Sequence, residues 1–501
     1  MAARFATSGA VVYGLMACAP PPRPHCAAGE VCAGALPDGG NGSGSGAPDA
    51  SPTDPCSLAR LGKSYIGCEY YPTVTGNTVG TMFDFAVAIS NTSALDATVV
   101  IDGGALAAPA VFTVLANSVK VHVLPWQLEL KLCSAPVTDG CNSGSMGQGA
   151  LVARGAYHVV SDQPVTVYQF NALEYTRGGV LSYSNDASLL QPVQAWGTQY
   201  YVAAWQHTAD NGSELVVTAA QDGTRVTINP RAGSVAAGGA PAFTAGVAQT
   251  VTLDAGGVLE LSSRTGDYTG SVVTADKPIQ VIGGHYCALI PDGFLFCDHL
   301  EESMFSVDAL GTHYLINAPV VPTTPTKPAL VRVIATAADT HLSYDPPHGE
   351  FPDAIANPGE FVELPATAAS FVIAANHKVL VAQYMAGRNL GGDAGDPSMA
   401  LAVPLEQFRS SYRFHAPTSY ANNYVDVTAP LEATITLDGD TLELIAIGTT
   451  GYGLARRELV SGDDGNHRIF GTRPFGITVY GYGQETSYWY PGGLDLNDII
   501  F

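Results

Sequence analysis

A repeat of about one hundred residues constrains the fold of this chain more than any other feature. Four stretches share an apolar run, a polar tetrad and a second apolar run: GAYHVVSDQPVTVYQFN (155–171), GSVVTADKPIQVIGGHY (270–286), ASFVIAANHKVLVAQYM (369–385) and HRIFGTRPFGITVYGYG (467–483). A fixed period means that each copy is one structural unit packed against its neighbours. Asp, Asn and Pro favour turns, so each stretch predicts a strand, a tight turn and a second strand.

A second element recurs with the same period. VQAWGTQY (193–200), VDALGTHY (307–314) and LEQFRSSY (405–412) each begin with an apolar residue and end with a tyrosine. The alternation in TRVTINP and ATITLDG is that of half-buried strands, and many short strands per copy are typical of β-sandwiches. We therefore expect an all-β protein of four sandwich-like modules: a first at 56–190, a second at 191–304, a third at 305–404 and a fourth at 405–501. EYYPT (69–73) and SYWYPGG (487–493) both resemble the junction between copies, which leaves a row and a closed ring of modules open.

The N-terminus has the order of an export signal. One basic residue, Arg4, precedes an apolar run that is shorter than the roughly 20 residues of a membrane-spanning helix. Leu15 to Cys18 resembles the lipobox of bacterial lipoproteins, which implies a signal peptide at 1–17 and a lipid on Cys18. The alternative is an ordinary signal in which Cys18 is only a small residue. Ala19, where an aspartate would imply inner-membrane retention, favours the outer membrane or the cell surface.

Residues 18–55 differ in composition from the rest of the chain. They are rich in Pro, Gly, Ser and Asp and cannot bury enough apolar surface to fold. We expect a disordered tether that reaches roughly 35 Å and holds the folded body away from a membrane.

The charge of the chain excludes two classes of partner. Asp and Glu number 45 against 22 Lys and Arg, which gives a formal net charge of −23. Nucleic acids and anionic lipid surfaces repel such a protein. Contact with a membrane is therefore expected through the lipid anchor alone.

The stretch HYCALIPDGFLFCDH (285–299) admits two interpretations. Paired strands would bring its two cysteines and two histidines together, as in a Cys2His2 zinc site. In an exported protein the same cysteines form disulfides. Without Cys18, the other eight cysteines fall into four local pairs: Cys26 with Cys32, Cys56 with Cys68, Cys133 with Cys141, and Cys287 with Cys297. Sequence does not fix their connectivity, but local pairing is the simplest arrangement. We therefore expect disulfides, a hairpin that turns at PDG, and neither a metal nor a cofactor.

No catalytic motif is complete. HExxH and G-x-S-x-G are absent, and the GKS at 62–64 lacks the first glycine of a phosphate loop. Glu301 and Glu302 are adjacent and would face opposite ways on a strand, so we expect a solvated acidic edge.

Two Asp-rich turns lack the spacing of calcium loops: SGDDGN (461–466) and LDLNDI (494–499). The aromatic clusters at 69–72 and 488–491 can stack on sugars, but we expect them to pack at module junctions.

Together, the repeats and the cysteine hairpin resemble the family named for the N-terminal domain of the IgG Fc-binding protein. The residues that carry the resemblance are SDQPVTVYQFN with SNDASLLQP, TADKPIQVIGGHYC with CDHLEESM, and SYWYPGG. Bacterial members look like surface lipoproteins, and the family implies binding to a glycoprotein or mucus-associated partner. GDPS (395–398) resembles a self-cleaving Gly-Asp-Pro-His motif, but Ser398 stands in place of the histidine. We therefore take this segment as structural. In the hairpin, His285, Asp298 and His299 are candidate binding residues, although both histidines can be ordinary polar residues beside a disulfide.

We therefore expect a non-enzymatic, lipid-anchored surface protein that binds a glycoprotein, a glycan or another macromolecule. Two alternatives stay open. One is a carbohydrate-active or other hydrolytic surface enzyme, which needs two carboxylates roughly 5–10 Å apart in a cleft. The other is a structural envelope protein, which self-association would favour.

Overall fold

The structure is a computed structural model that describes residues 54–60, 62–141, 146–208, 211–294, 296–321, 327–390, 394–460 and 464–499. The expected signal peptide at 1–17, the lipidation site Cys18 and nearly all of the tether lie outside the described residues. Pro52–Phe501 forms one compact unit. Half of the chain is β-strand and only 5% is helix, which confirms the all-β class. None of the helices in the described ranges is both long and apolar enough to cross a membrane.

The described helices and strands follow one another in short segments. The bounds of the four modules stay a prediction, and first to fourth module below denote the residue ranges expected from the sequence. In the first module they are α1 Pro55–Ala59, β1 Gly67–Tyr70, β2 Phe85–Asn91, β3 Ala97–Gly103, β4 Ala110–Val114, β5 Val119–Leu124, α2 Leu128–Lys131, β6 Gly149–Val152, β7 Tyr157–Asn171, β8 Thr176–Arg177, β9 Val180–Leu181 and β10 Asp186–Leu190. In the second they are β11 Gly197–Tyr201, β12 Ser213–Ala219, β13 Thr224–Asn229, β14 Gln249–Leu253, β15 Val258–Ser263, β16 Val272–Ala288 and β17 Asp298–Ser303.

The third and fourth modules continue the same pattern. The third contains β18 His313–Ile316, β19 Ala329–Ala335, β20 Thr340–Asp345, β21 Ala354–Ile355, β22 Phe361–Thr367, β23 Phe371–Ala375, β24 Val379–Met385 and β25 Ser398–Leu401. The fourth contains β26 Arg409–His415, β27 Asn422–Pro430, β28 Ile435–Leu437, β29 Asp440–Leu442, β30 Ile445–Ala446, β31 Tyr452–Leu459, β32 Asn466–Tyr482 and β33 Ser487–Pro491. Short 3-10 helices lie at Thr138–Gly140, Val193–Ala195, Val307–Ala309, Arg388–Leu390 and Leu405–Gln407.

Each module is built from antiparallel strands in a similar order. Hydrogen-bonded neighbours run β4-β3-β7-β2-β5 in the first module, β14-β13-β16-β12-β15-β6 in the second and β29-β28-β32-β27-β31-β30 in the fourth. The third module has two separate sheets, β18-β23-β20-β21 and β22-β19-β24-β25. Side chains of β13 alternate between buried and exposed positions, as the sequence predicts for a half-buried strand. Because β6 pairs with β15, a strand from the first module completes a sheet of the second.

The polar tetrad of the repeat lies inside one long strand. In β7, residues 157–161 pair with β3 and residues 165–171 pair with β2. On the side of β1, Gly67 and Glu69 are two residues apart, yet their partners on β7 are five residues apart. The tetrad at 161–164 therefore bulges out of the ladder where the strand passes from one layer of the module to the other.

The same bulge recurs in two further modules. The tetrads 275–278 and 471–474 are skipped in the pairing of β16 with β11 and of β32 with β26. The expected tight turn is therefore wrong in the first, second and fourth modules, because a strand that changes layers through a bulge need not be interrupted. In the third module residues 376–378 of the tetrad separate β23 from β24, as expected.

In each module one tyrosine hydroxyl bonds to the residue that follows the tetrad. In the second module, the Tyr200 hydroxyl donates to the carbonyl of Ile279 and accepts from the N–H of Gly197, both at 2.8 Å. The corresponding residues, which make the same two bonds in their own modules, are Tyr70, Tyr314 and Tyr412. All four rings are at most 2% exposed. This tyrosine therefore joins the first strand of each module to the strand segment that follows the tetrad.

The last strands of the four modules contact one another. β10 contacts β17, β25 and β33, and β25 contacts β17 and β33. Asp186, the first residue of β10, is buried and accepts hydrogen bonds from the Ser398 hydroxyl and from the N–H groups of Glu301, Met399 and Trp489. One carboxyl group thus links all four modules.

The first module also contacts the fourth. Ser64 and Asp495 form a β-bridge, and the Tyr168 hydroxyl donates to the carbonyl of Gly492 at 2.9 Å. The aromatic clusters that resemble the module junction are at most 4% exposed: Tyr70, Tyr71, Tyr488, Trp489 and Tyr490. Their expected role in packing is confirmed, while closure of the modules into a ring stays a prediction.

Candidate functional site

The cysteine hairpin forms as expected. β16 and β17 pair antiparallel, and the Cys287–Cys297 disulfide closes the loop between them with a Cα–Cα distance of 5.0 Å. The loop turns after Pro291, whose carbonyl accepts from the N–H of Phe294 at 3.3 Å. The zinc alternative is wrong, because the two sulfur atoms are bonded to each other and not free to coordinate a metal.

Two more of the expected disulfides are present. Cys56 bonds to Cys68 and Cys133 bonds to Cys141, with Cα–Cα distances of 5.8 and 5.7 Å. Local pairing is therefore confirmed for the six described cysteines.

The fourth expected pair falls in the tether. Cys26 and Cys32 both lie outside the described residues, as does Cys18 with its expected lipid. A disulfide between Cys26 and Cys32 therefore stays a prediction.

The three candidate binding residues of the hairpin are buried. His285, Asp298 and His299 are 0% exposed. The Nδ1 of His285 lies 3.0 Å from the N–H of Cys287, and burial lowers the pKa of His285 to about 3, so this ring is neutral. The Nε2 of His299 lies 3.1 Å from the hydroxyl of Thr75. Buried side chains do not reach a macromolecular ligand unless the protein opens, so direct contact through these residues stays a prediction.

Asp298 ties the hairpin to two other modules. Its carboxyl group accepts hydrogen bonds from the N–H of Asn185 in the first module at 2.6 Å and from the hydroxyl of Thr486 in the fourth at 2.8 Å. The N–H of Ser487 donates to the same group at 3.1 Å. Burial raises the pKa of Asp298 well above its usual value, and the charge of Asp396 raises it further. Asp298 therefore holds the hairpin against the first and fourth modules through buried hydrogen bonds.

Glu301 and Glu302 correct another expectation, because both are 0% exposed and not on a solvated edge. As expected for neighbours on a strand, they have different partners. Glu301 accepts from the side-chain amide of Asn171 at 2.7 Å, and Glu302 accepts from the hydroxyl of Ser188 at 2.9 Å. The strand that carries them, β17, packs against β10 and β25 of other modules, and all of its side chains are buried.

A second buried acidic pair lies on neighbouring strands of the second module. Glu214 and Glu260 are at most 1% exposed. The N–H of Gly76 donates to Glu260 at 2.7 Å, whereas neither carboxyl oxygen of Glu214 has a partner among the described residues. Burial raises the pKa of both groups well above the usual value, and each is therefore expected to retain its proton.

An open cleft lies beside the hairpin, and all four modules contribute to it. Its volume is about 490 Å³, and its lining residues are Thr78, Thr138, Cys141, Tyr183, Asn211, Cys287, Phe296, Cys297, Asp396 and Glu485. The disulfides Cys133–Cys141 and Cys287–Cys297 both border the cleft. Two covalent cross-links thus hold its wall in place.

Two aromatic side chains of the cleft have strained backbones. Tyr183 is 40% exposed with φ of 60°, and Phe296 is 41% exposed with φ of 73°. A left-handed conformation costs an L-residue roughly 1–2 kcal/mol and is unusual for a bulky side chain. Such strain persists where the surrounding structure enforces it, and it is concentrated at functional sites. The two rings therefore mark the cleft as the candidate functional site.

The cleft also contains two carboxyl groups in different environments. Asp396 is 2% exposed and its Oδ1 has no hydrogen-bond partner among the described residues. Burial raises the pKa of Asp396 to about 7, against the opposing charge of Lys327. Glu485 accepts from Arg388 at 2.9 Å, and the Arg388 guanidinium lies 4.9 Å from the ring centre of Phe296. The cleft thus combines exposed aromatic faces with a buried carboxyl group whose pKa lies near neutral pH.

The sequence patterns did not single out Tyr183, Phe296 or Glu485, and Asp396 fell in the segment taken as structural. A left-handed backbone at a bulky residue leaves no periodic signal, and these residues are far apart along the chain. Only the conspicuous cysteine hairpin pointed to this region of the molecule.

Comparison with known proteins identifies relatives of the chain. The sequence model of the family described as IgGFc binding protein matches residues 186–481, which run from β10 to the end of β32. The human IgGFc-binding protein is 34% identical over 204 residues, a stretch that covers 40% of this chain and 3% of the human protein. No solved structure matches the chain. The family match covers more than half of the chain, and the protein therefore belongs to the IgGFc-binding protein family.

Proposed function

We propose that this protein is a non-enzymatic binding protein displayed outside the cell, and that its ligand is a glycoprotein or a glycan held in the cleft. The human relative is named an IgGFc-binding protein, which supports a protein or glycoprotein ligand. The carrying observation is the pair of exposed, strained rings of Tyr183 and Phe296, which line the same cleft. Aromatic faces pack on the apolar faces of sugars, while carboxyl and amide groups bond to their hydroxyls.

The anchor of this binding protein is proposed to be a lipid on Cys18. The lipobox-like Leu15 to Cys18 and the export-type N-terminus support this proposal, and the three disulfides support an oxidising compartment. The tether at 18–55 would hold the four-module body away from an outer membrane.

Binding by the cleft is tested with the compact unit Pro52–Phe501 on an array of glycans and glycoproteins. Tyr183→Gly and Phe296→Gly remove the rings and relieve the left-handed backbones at the same time. We therefore expect each variant to lose at least tenfold in affinity while its free energy of unfolding changes by less than about 1 kcal/mol. If the rings had only a structural role, each variant would lose stability and keep its affinity.

The matched control is Ile445→Ala, which shortens an apolar side chain that is 73% exposed and lies outside the cleft residues. This variant should bind every array ligand as the unmodified protein does. If the cleft variants also retain full affinity for the ligands found, the ligand does not bind in the cleft.

Hydrolysis is the second candidate function, because Asp396 and Glu485 line the same cleft. Two carboxyl groups in one cleft, one with a raised pKa and one bonded to a guanidinium group, resemble the acid and its partner in glycosidases. An enzyme predicts that Asp396→Asn abolishes release of sugar from ligands found on the array but leaves their binding within about threefold. Our proposal predicts no release by either protein, measured by mass spectrometry of the incubated ligand.

A further inference from the structure

Two arginines face each other across a strand pair in the fourth module. Arg413 on β26 and Arg468 on β32 are direct cross-strand partners. Like charges in this position repel and destabilise a sheet. Burial lowers the pKa of Arg413, and the charge of Arg468 lowers it further.

No acidic side chain forms an ion pair with either guanidinium in the described part of the chain, although the Asp438 carboxylate accepts from the backbone N–H of Arg468 at 2.8 Å. The Arg413 guanidinium donates to the side-chain oxygen of Asn117 at 2.7 Å, and that of Arg468 lies 4.0 Å from the ring centre of Phe470. Neither takes part in the ion pairs of the described residues, although other arginines of the fourth module do, such as Arg409 with Asp495 and Arg473 with Glu432. The chain has 45 acidic residues and 22 basic ones, so possible acidic partners are plentiful. Two neighbouring arginines that form no ion pair among the described residues therefore need an explanation.

Both arginines line a pocket of about 240 Å³ between the first and fourth modules. The side chains around them include Tyr65, Asn117, Ser411 and Phe470, and Phe470 is 38% exposed. The pocket therefore combines two positive charges with polar groups and an apolar ring face. Its lining shares no residue with the cleft, so it is a separate site.

We infer that this arginine pocket binds one oxyanion group, a carboxylate or a sulfate, carried by a sugar. Guanidinium groups bond to carboxylate and sulfate oxygens in a charge-assisted geometry, and an anion between two arginines removes their mutual repulsion. The exposed face of Phe470 and the polar side chains would contact the sugar that carries the anion. A polyanion such as nucleic acid fits less well, since the net charge of −23 repels it as a whole.

The test uses the full chain and four probes at constant ionic strength: inorganic sulfate, glucose 6-sulfate, glucuronate and glucose. Saturation-transfer NMR should detect binding of the two acidic sugars but not of glucose, and sulfate should compete with both. Comparison of the two acidic sugars shows which oxyanion is preferred. Arg413→Gln combined with Arg468→Gln should weaken binding of the acidic sugars by about tenfold or more, because two charge-assisted contacts are lost.

The matched control is Arg473→Gln, which removes the same charge from an exposed position on β32 and should leave binding unchanged. Arg468→Gln in the unliganded protein should not lower the unfolding temperature, because it removes a repulsion. Sulfate should raise the unfolding temperature of the unmodified protein more than that of the double variant.

Equal binding of glucose, unchanged binding by the double variant, or no binding of any probe would overturn the inference. Competition by sulfate without binding of either acidic sugar would overturn its sugar part. These outcomes leave the cleft proposal untouched, since that proposal is tested with other variants.

Discussion

Replacing Tyr200 with phenylalanine should destabilise the second module through the loss of a single hydroxyl group. This hydroxyl donates to the carbonyl of Ile279 and accepts from the N–H of Gly197, both at 2.8 Å, in a residue that is 1% exposed. The phenyl ring still fills the site, so no cavity opens. A buried polar group left without its partner costs about 1–3 kcal/mol, and two groups are affected here. We therefore expect the free energy of unfolding to fall by about 2–6 kcal/mol.

The assay combines urea unfolding with hydrogen exchange measured by mass spectrometry. Trp196 and Trp205 are buried in the same module, so their fluorescence reports its unfolding. Hydrogen exchange then shows whether the loss is local, because amides of β11 and β16 should exchange faster than those of the other modules.

Tyr482→Phe is the matched control for this experiment. Tyr482 is as deeply buried as Tyr200, but its hydroxyl has no hydrogen-bond partner among the described residues. Its removal should cost nothing measurable. If both variants lose the same free energy of unfolding, the tyrosine hydroxyl does not stabilise the bulge and our account of the repeat is wrong.

Three further predictions concern the cysteines and the buried acids. The double variant Cys287→Ser and Cys297→Ser should lower the free energy of unfolding by about 2–3 kcal/mol in urea, and an unchanged value would show that the disulfide constrains nothing. Intact-mass analysis of Pro52–Phe501 should find all six described cysteines oxidised, whereas free thiols would contradict the disulfide assignment. Burial raises the pKa of Glu214 above 4.5, so the folded protein holds this proton more tightly than the unfolded chain does. The stability that this proton binding contributes is present below pH 4.5 and is lost as the pH rises. Glu214→Gln should therefore become more stable relative to the unmodified protein between pH 4.5 and pH 8, and a constant difference would refute the raised pKa.

The hairpin shows how far local sequence reasoning extends. Cysteines ten residues apart with a turn between them predicted the antiparallel pair, and the export-type N-terminus favoured the Cys287–Cys297 disulfide over a zinc site. The same reasoning failed for Glu301 and Glu302, because the exposure of a strand depends on which modules cover it. It also predicted a turn at the repeated tetrad, where the structure has a bulge held by a tyrosine from another strand.

The sequence by itself determined the β-rich repeat, the local disulfides and the burial of the junction aromatics, since side-chain alternation, turn residues and short loops act between near neighbours in the chain. Only the tertiary structure decided the two candidate sites. Tyr183, Phe296, Asp396 and Glu485 come from four different modules, and Arg413 meets Arg468 through strand pairing. No local pattern encodes such meetings, because they depend on how completed modules pack and on the register between strands distant in sequence.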